Sequence, residues 1–289
     1  MKITFLVDNK TEEPRCRAEW GLSVLIEANG RTILMDQGET GMFAENAMAL
    51  GIDLNRVDFA TISHGHSDHS GGTPAFFAVN DHAPVYVHKD AFRRSVTMKH
   101  AEVDEEGHVV KGEIFETGLE IPWTEEFKRE NADRIILTEG TCQIDEHTWL
   151  IGDVPRIEGF SPTESFYLYI KDDKYTGWVE DIMKHEQTLV IEEDGRLHVF
   201  SGCSHNGIVP ILKYITEQLP GRKISTVVAG MHLFAAKAEF RQKVVREVMA
   251  YGPDLVFPVH CTGMEAIVDF KKALGGRCRI AYAGAVYEV

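Results

Sequence analysis

The sequence has few of the features that mark membrane, secreted or nucleic-acid-binding proteins. It contains no apolar run long enough to span a bilayer, and its first residues read as a strand rather than as a signal peptide. Its five cysteines are an odd number at wide spacing, which does not predict a disulfide framework. We therefore expect a cytoplasmic protein without a membrane partner.

Positive charge is also scarce. The chain has 30 Lys and Arg residues against 45 Asp and Glu residues, so its formal net charge at pH 7 is −15. Nucleic-acid binding draws on clustered Lys and Arg, so this balance argues against a nucleic-acid partner. Acidity alone is no clue to the substrate, which we expect to be a small molecule. The sequence has neither a Gly-x-Ser-x-Gly elbow nor a phosphate-cradling glycine loop that could carry the chemistry.

One short stretch is dense in groups that bind metals. Three histidines and one aspartate fall within six consecutive residues: His64, His66, Asp68 and His69. They follow a run, 57–62, that predicts a buried strand, and they precede a Gly-Gly pair. At the end of an extended strand the first two histidines point to the same side. Because imidazole and carboxylate are ligands of divalent ions, the stretch predicts a site for two metals rather than a solvated loop.

The order of predicted elements indicates one domain over residues 1–289. Two apolar runs, 22–27 and 32–35, flank Asn29-Gly30, which is a strong hairpin signal. Apolar residues at helical spacing over 208–219 predict a helix with Pro210 in its first turn. The first half is rich in strands and the second alternates strand and helix, without a Pro-, Ser- or Gly-rich linker between them.

The pattern His-x-His-x-Asp-His, between a hydrophobic strand and Gly-Gly, resembles that of the metallo-β-lactamase superfamily. The resemblance covers nearly the whole chain and implies an α/β fold, a four-layer αβ/βα sandwich with metals at one rim. It also implies hydrolysis by a metal-activated hydroxide. It does not imply a lactam substrate, because this fold serves many chemistries. The segment 89–161 is the least periodic part, and we expect it to be an insertion or a cap over the active site.

The resemblance also implies where further ligands lie. Cys203 follows a strand-like run and matches the position where the family has a metal-binding Asp or Cys; the alternative is a small buried hydrophobe. His260 matches the family's final histidine, with a core histidine as the alternative. Asp36 matches an aspartate behind the metal loop that accepts hydrogen bonds and fixes ligand orientation. Cys261 is expected to pack rather than to bind metal.

Two histidines compete for the third ligand of the first metal site. His185 lies 18 residues before Cys203 and fits the family's spacing, so it is ranked ahead of His205, which lies two residues after Cys203. Glu186 and Asp181 are outside candidates. The histidine that does not bind metal is expected to orient a ligand or to contact substrate.

Several further segments narrow the resemblance, namely 5–9, 186–191, 201–209, 230–233 and 260–263. They look like the branch of metal-dependent hydrolases similar to a dihydropterin-linked ribofuranosyl-aminobenzene phosphate synthase of methanopterin biosynthesis. The sequence departs from that branch at His185, where an acidic residue is expected. His232 has equal support as a site residue and as a structural one. We assign the catalytic machinery to Asp68, Asp36, His205 and His232, and the metal ligands to His64, His66, Asp68, His69, His185, Cys203 and His260.

Three functions remain open. The first is a hydrolase of an ester, lactone, amide or phosphoester, in which Asp68 or a nearby acid orients the hydroxide. The second is a metal-assisted transferase or synthase that joins a pterin-like diphosphate to an aromatic ribosyl phosphate, using Arg93, Arg94 and Lys99 in a phosphate pocket. The third is a non-catalytic metal-binding module, which the intact motif disfavours. Two zinc ions are the default cofactor, iron or manganese would also fit, and a homodimer is compatible with the sequence.

Overall fold

The computed structural model describes residues 1–160 and 164–289. Its strands are β1 Lys2–Val7, β2 Ser23–Ala28, β3 Arg31–Met35, β4 Phe59–Thr61, β5 Val85–His88, β6 Ser95–Val103, β7 Val109–Thr117, β8 Ile135–Thr138, β9 Cys142–Asp145, β10 Thr148–Ile151, β11 Phe166–Lys171, β12 Thr176–Glu180, β13 Thr188–Glu193, β14 Arg196–Ser201, β15 Lys223–Gly230, β16 Leu255–Val259 and β17 Val286–Glu288. Its helices are α1 Met42–Leu50, α2 Ser67–Ser70, α3 Thr73–Val79, α4 Glu125–Glu130, α5 Ile208–Gln218, α6 Ala238–Ala250 and α7 Met264–Leu274, with 3-10 turns at Leu54–Arg56, His260–Thr262 and Gly275–Arg277. None of the helices in the described ranges combines the length and apolar character needed to cross a membrane.

The strands form two large sheets. The first has seven strands in the order β17-β1-β2-β3-β4-β5-β8, and the second has six in the order β16-β15-β14-β13-β10-β9. In the first sheet β2 and β3 pair antiparallel around Asn29-Gly30, as predicted, and β3, β4, β5 and β8 are parallel. In the second sheet β14, β15 and β16 are parallel. Each sheet therefore has a parallel region whose strand ends can present functional groups at one edge.

Apolar side chains fill three spaces between four layers. Phe5 and Met35 of the first sheet pack against Phe200 and Phe257 of the second, and together they form the layer between the sheets. A second cluster lies between the first sheet and helices α1, α3 and α4, and a third lies between the second sheet and helices α5, α6 and α7. Burying a large apolar side chain contributes about 1.5–3 kcal/mol each. The arrangement is the predicted four-layer αβ/βα sandwich.

The segment 89–161 is divided among three sheets. Strand β8 lies at the edge of the first sheet, and β9 and β10 lie at the edge of the second. Strands β6 and β7 pair instead with β11 and β12 in a separate four-stranded sheet of order β12-β11-β6-β7. This small sheet contributes Phe115, Glu116 and Phe166 to the wall of a cavity of about 480 Å³. The single-domain boundary and the role of the segment as a cap stay predictions.

Candidate metal centre

Polar side chains follow five strands of the two large sheets, at the point where each strand ends. Asp36 follows β3, and the histidine stretch that begins at His64 follows β4. Cys203, His232 and His260 follow β14, β15 and β16 in the second sheet. All five residues are buried. The convergence agrees with the expectation that parallel strands present their functional groups at one edge.

Asp36 makes the contacts expected of a residue that orients a ligand. Its Oδ1 accepts a hydrogen bond from the backbone N–H of Ser63 at 2.7 Å, and its Oδ2 accepts one from the Ser63 hydroxyl at 2.8 Å. The same Oδ2 lies 2.6 Å from His69 Nδ1. The opposite ring nitrogen of His69 lies 3.2 Å from the Cys203 sulfur. Asp36 therefore fixes the ring of His69 so that its Nε2 faces the centre of the site.

His64 and His66 meet as the alternation along the strand end predicts. His64 Nδ1 lies 2.9 Å from the Ser63 hydroxyl, and His64 Nε2 lies 3.0 Å from His66 Nδ1. The Nε2 atom of His66 is buried without a hydrogen-bond partner in the described part of the chain. Burial, with the neighbouring imidazoles, lowers the pKa of His64 well below its ordinary value. Burial lowers the pKa of His66 to about 3. Both rings are therefore neutral, which is the form that binds a metal.

Asp68 and His260 lie together on the other side of the site. His260 Nε2 is 3.1 Å from Asp68 Oδ2, and His69 Nε2 is 3.8 Å from Asp68 Oδ1. His260 is held from behind, since its Nδ1 lies 2.8 Å from the side-chain oxygen of Asn9. Burial alone would raise the pKa of Asp68, but His69 and His260 outweigh it and hold that pKa below its ordinary value. Asp68 is therefore an ionised carboxylate.

His185 and His205 differ in what their ring nitrogens contact. His185 Nδ1 accepts a hydrogen bond from the backbone N–H of Gly65 at 3.0 Å, and His185 Nε2 lies 3.0 Å from Asp181 Oδ2. Both nitrogens of His205 are buried and have no partner among the residues that the structure describes. The ligand atoms of His64, Cys203 and His205 lie within 4.8 Å of one another. These contacts favour His205 over His185 as the third imidazole, the reverse of the order that spacing suggested.

Glu186 and Asp181, the outside candidates, are engaged in other contacts. The Glu186 carboxylate accepts hydrogen bonds from the backbone N–H groups of His205 at 2.5 Å and Asn206 at 2.8 Å. Asp181 contacts His185 and accepts a hydrogen bond from the backbone N–H of Met183 at 2.7 Å. Glu186 therefore holds the loop that carries His205, a role that sequence reasoning missed. Its position directly after a candidate histidine was the available signal.

His232 and Cys261 form a second group around Cys203. The ligand atoms of the three side chains lie within 4.8 Å of one another, and the backbone N–H of His232 contacts the Cys261 sulfur at 3.3 Å. His232 Nε2 lies 2.8 Å from Glu164 Oε2. Burial lowers the pKa of His232, but Cys261 and Glu164 outweigh it and raise that pKa to about 10. His232 is thus a cation paired with Glu164 beside the sulfur atoms, and Cys261 is fully buried.

Comparisons with a family profile, with related sequences and with solved structures agree with a metal centre at this place in the fold. The sequence profile of the metallo-β-lactamase superfamily matches residues 21–128. The chain is 29% identical over 276 residues to the uncharacterized protein MJ0448 of Methanocaldococcus jannaschii, covering 93% of this chain and 94% of that protein. Among solved structures, Tm1679, a metal-dependent hydrolase of the β-lactamase superfamily, aligns with a TM-score of 0.79 at 28% identity, covering 100% of this chain and 99% of that one.

The chain has the metallo-β-lactamase fold and matches the profile of that superfamily. It is also similar to the 7,8-dihydropterin-6-methyl-4-(β-D-ribofuranosyl)-aminobenzene-5'-phosphate synthase of Methanocaldococcus jannaschii. That match is 26% identical over 260 residues and covers 86% of this chain and 83% of the synthase. The superfamily and the branch resemblance inferred from the sequence motifs are thereby confirmed. Similarity to that superfamily implies binding of a divalent metal.

The residues present fit such a metal. The groups whose ligand atoms lie within 4.8 Å of one another are His64–Cys203–His205, His69–Cys203–His260, Cys203–His232–Cys261 and His64–Asp68–His69. Buried imidazoles, a thiol and an ionised carboxylate are donors that zinc and similar ions accept, and burial lowers the pKa of His64, His66 and His205. Cys203 belongs to three of the four groups, which places it between the histidines of the two expected sites. The number and identity of the ions stay predictions.

A cavity of about 480 Å³ opens above these side chains. His66, Asp68, Cys203, His232, His260 and Cys261 form its floor and lower wall. Four aromatic rings complete the wall, and we call them the aromatic wall: Trp20, Phe115, Phe166 and Phe234. Sequence reasoning missed all four because they come from separate segments. The one available signal was Trp20, a large aromatic residue inside a polar loop.

Proposed function

We propose that this protein is a metal-dependent hydrolase of a small molecule that contains an ester, lactone, amide or phosphoester bond. The observation that supports the proposal is the set of buried imidazoles around Cys203 and Asp68 at the floor of the cavity. Two divalent ions, zinc by default, would be held by His64, His66 and His205 on one side and by Asp68, His69 and His260 on the other, with Cys203 as a further donor.

The chain's own residues have separable tasks in this proposal. A bound divalent ion supplies hydroxide at neutral pH, because it lowers the pKa of water from roughly 15.7 to about 7, and it polarises the electrophile. Asp36 keeps the ring of His69 in one orientation, which lets the imidazole bind without rearrangement. Asp68, an ionised carboxylate on the cavity floor, orients the attacking water and carries its proton to the leaving group.

Metal content is the first experiment. We expect about two ions per chain in the wild type by elemental analysis after native purification. His66→Ala and Cys203→Ala should each lower that number, because each removes a donor that faces the site. His82→Ala is the matched control, since His82 is exposed on a surface turn beside Asp81. A wild type that binds no metal would refute the proposal and favour a metal-independent binding module.

Turnover is the second experiment. Metal-loaded protein should hydrolyse at least one member of a panel of esters, lactones, amides and phosphoesters. A chelator should abolish that activity and the returned ion should restore it. Activity that survives full metal removal, confirmed by elemental analysis of the same sample, would contradict a metal-dependent mechanism.

A synthase activity is the second candidate, favoured by the similarity to the pterin-linked synthase. For such a synthase, the sequence predicts that Arg93, Arg94 and Lys99 bind phosphate. Instead Arg93 pairs with Asp90 at 2.9 Å, and Arg94 and Lys99 lie over the rings of Trp178 and Phe115. None of the three lines the cavity. Formation of a coupled product from a pterin-like diphosphate and an aromatic ribosyl phosphate, detected by mass spectrometry, would favour the synthase over the hydrolase.

A further inference from the structure

We infer that the part of the substrate remote from the reacting bond is a flat aromatic group that carries no anion such as a phosphate. This inference rests on the proposed function, because it concerns the same cavity and names the substrate class. Its basis is the aromatic wall, together with the charges of the other residues that line the cavity.

Three rings of the aromatic wall are exposed although they are large and apolar. Trp20 is 53% exposed, Phe115 58% and Phe234 47%. They are gathered around one cavity rather than scattered over the surface. Clustered exposed apolar side chains mark a binding site, because leaving them in water is unfavourable until a ligand covers them. The cavity volume of about 480 Å³ lies within the range of roughly 300–1,000 Å³ found for small-molecule sites.

Trp20 and Phe234 are in contact with each other and with the metal centre. Their ring centroids are 6.0 Å apart with an interplanar angle of 84°. The Trp20 ring lies 5.2 Å from that of His260, and the Phe234 ring lies 5.2 Å from that of His232. A ligand whose reactive group reaches the imidazoles must therefore pass between aromatic faces and edges. Flat aromatic groups favour such contacts, because an aromatic pair contributes more binding free energy than its buried area alone would give.

Backbone contacts fix the positions of Trp20 and Phe234, and one of these contacts involves the loop that carries Asp68. The N–H of Leu22 donates to the carbonyl oxygen of Asp68 at 3.2 Å, which places Trp20 beside that loop. Gly263 has φ +77°, and a Cβ there would lie 2.6 Å from the Phe234 Cα. Glycine is therefore required for the close approach that holds Phe234 at the cavity edge. The aromatic wall is part of the site's architecture and not a chance surface cluster.

Phe166 closes the cavity on the side of the imidazoles. It is buried, and its ring lies 4.6 Å from that of His66 and 4.9 Å from that of His205. It comes from β11 of the small sheet, which brings an apolar face over the polar floor. This ring shields the metal-binding nitrogens from water and gives the substrate's remote part a second apolar surface.

The charges around the cavity disfavour a remote anion. Within the described part of the chain, no Lys or Arg lines the cavity, whereas three acidic residues do: Asp68, Glu116 and Glu164. His232 Nε2 is already engaged by the Glu164 carboxylate at 2.8 Å. Lys99 lies over the Phe115 ring, with its ammonium 3.8 Å from the ring centroid, and does not line the cavity. An anion buried without a partner is costly, so a remote phosphate would find acids rather than donors there.

The experiment uses hydroxamates, which anchor at the metals and vary in the remote group. Acetohydroxamate, cyclohexane carbohydroxamate, naphthalene-2-carbohydroxamate and its 6-sulfonate are titrated calorimetrically into metal-loaded protein. We expect the naphthalene probe to bind about tenfold or more tighter than the cyclohexane probe, and the sulfonate to lose that gain. Equal affinity for the two rings, or tighter binding of the sulfonate, overturns the inference.

Single substitutions test whether the aromatic wall causes the preference for the naphthalene probe. Trp20→Ala and Phe234→Ala should weaken the naphthalene probe about fivefold to tenfold each, and more than they weaken acetohydroxamate. Glu116→Gln should improve binding of the sulfonate. Tyr169→Ala, at an exposed aromatic residue that does not line the cavity, is the matched control. Unchanged naphthalene binding in both aromatic variants, with the fold verified by circular dichroism, contradicts the inference.

The same titrations separate this inference from the proposed function. If acetohydroxamate does not bind, the metal centre is absent and the proposed function fails. The ring preference is then decided by titrating 2-naphthylmethanol against cyclohexylmethanol, neither of which needs a metal. A preference for the aromatic alcohol that Trp20→Ala removes supports the inference, and no preference overturns it.

Discussion

His185 and His205 are identical side chains on either side of Cys203 in the sequence, yet the fold gives their ring nitrogens different partners. Both nitrogens of His185 contact protein groups, whereas those of His205 are buried without such contacts in the described chain. Spacing alone could not distinguish the two, because it does not report what a ring contacts. The free nitrogens are the property that a metal ligand requires.

His205→Ala and His185→Ala test this distinction. We expect His205→Ala to lose about one ion per chain, because it removes a donor that faces the site. His185→Ala should keep both ions with an affinity reduced by about 10–100-fold, since it loses only the support of the loop at Gly65. Elemental analysis and titration with a metal indicator measure both quantities. Loss of an ion in His185→Ala alone would restore the order that spacing suggested.

Asp36→Asn tests the support of His69. The substitution keeps the shape of the side chain but removes the charge that lies 2.6 Å from His69 Nδ1. We expect the metal affinity to fall by about 10–100-fold with the fold retained. Asp133→Asn, at an exposed aspartate, is the control, and metal titration with circular dichroism is the measurement. An unchanged affinity would show that Asp36 supports the fold and not the ligand.

At the scale of elements, local patterns predicted the strands that carry the ligands but not the small sheet. The Asn29-Gly30 hairpin, the strand before His64 and the helix with Pro210 in its first turn can each be read from neighbouring residues. The pairing of β6 with β11 cannot, because the residues involved, such as Val96 and Tyr167, are far apart in sequence. The aromatic wall is invisible to local patterns for the same reason, since its rings converge only in the folded chain.

The loop between β14 and α5 depends on Glu186, and this gives an element-scale prediction. Glu186→Gln replaces one acceptor oxygen by an amide group that would face a backbone N–H. We expect the free energy of unfolding to fall by about 1–3 kcal/mol, because a buried hydrogen bond is lost without compensation. Urea unfolding of the metal-free protein measures it, with Glu217→Gln on the exposed face of α5 as the control. Equal stability of both variants and the wild type would contradict this role.

At the scale of the whole molecule, the two sheets share the site. Asp36 and His64 follow strands of the first sheet, whereas Cys203, His232 and His260 follow strands of the second. The interior between the sheets is filled by aromatic and aliphatic side chains, including Phe200 and Phe257. The positions of the ligands therefore depend on packing across the entire core, which a motif of six residues cannot specify. Conversely, an ion that binds donors from both sheets would stabilise the packing of one sheet against the other.

Metal removal tests that coupling. Since the donors converge only in the folded chain, an ion binds the native state in preference to the unfolded one. At a free metal concentration about 100 times the dissociation constant, we expect the free energy of unfolding to rise by about 2.7 kcal/mol per site. Urea unfolding of the metal-free and metal-loaded forms measures the difference, and Cys203→Ala, which lacks the donor between the two sites, should reduce it. If metal-loaded and metal-free wild type unfold at the same urea concentration although elemental analysis shows bound ions, the unfolded chain binds the ions as tightly as the folded one, which contradicts a centre that the fold assembles.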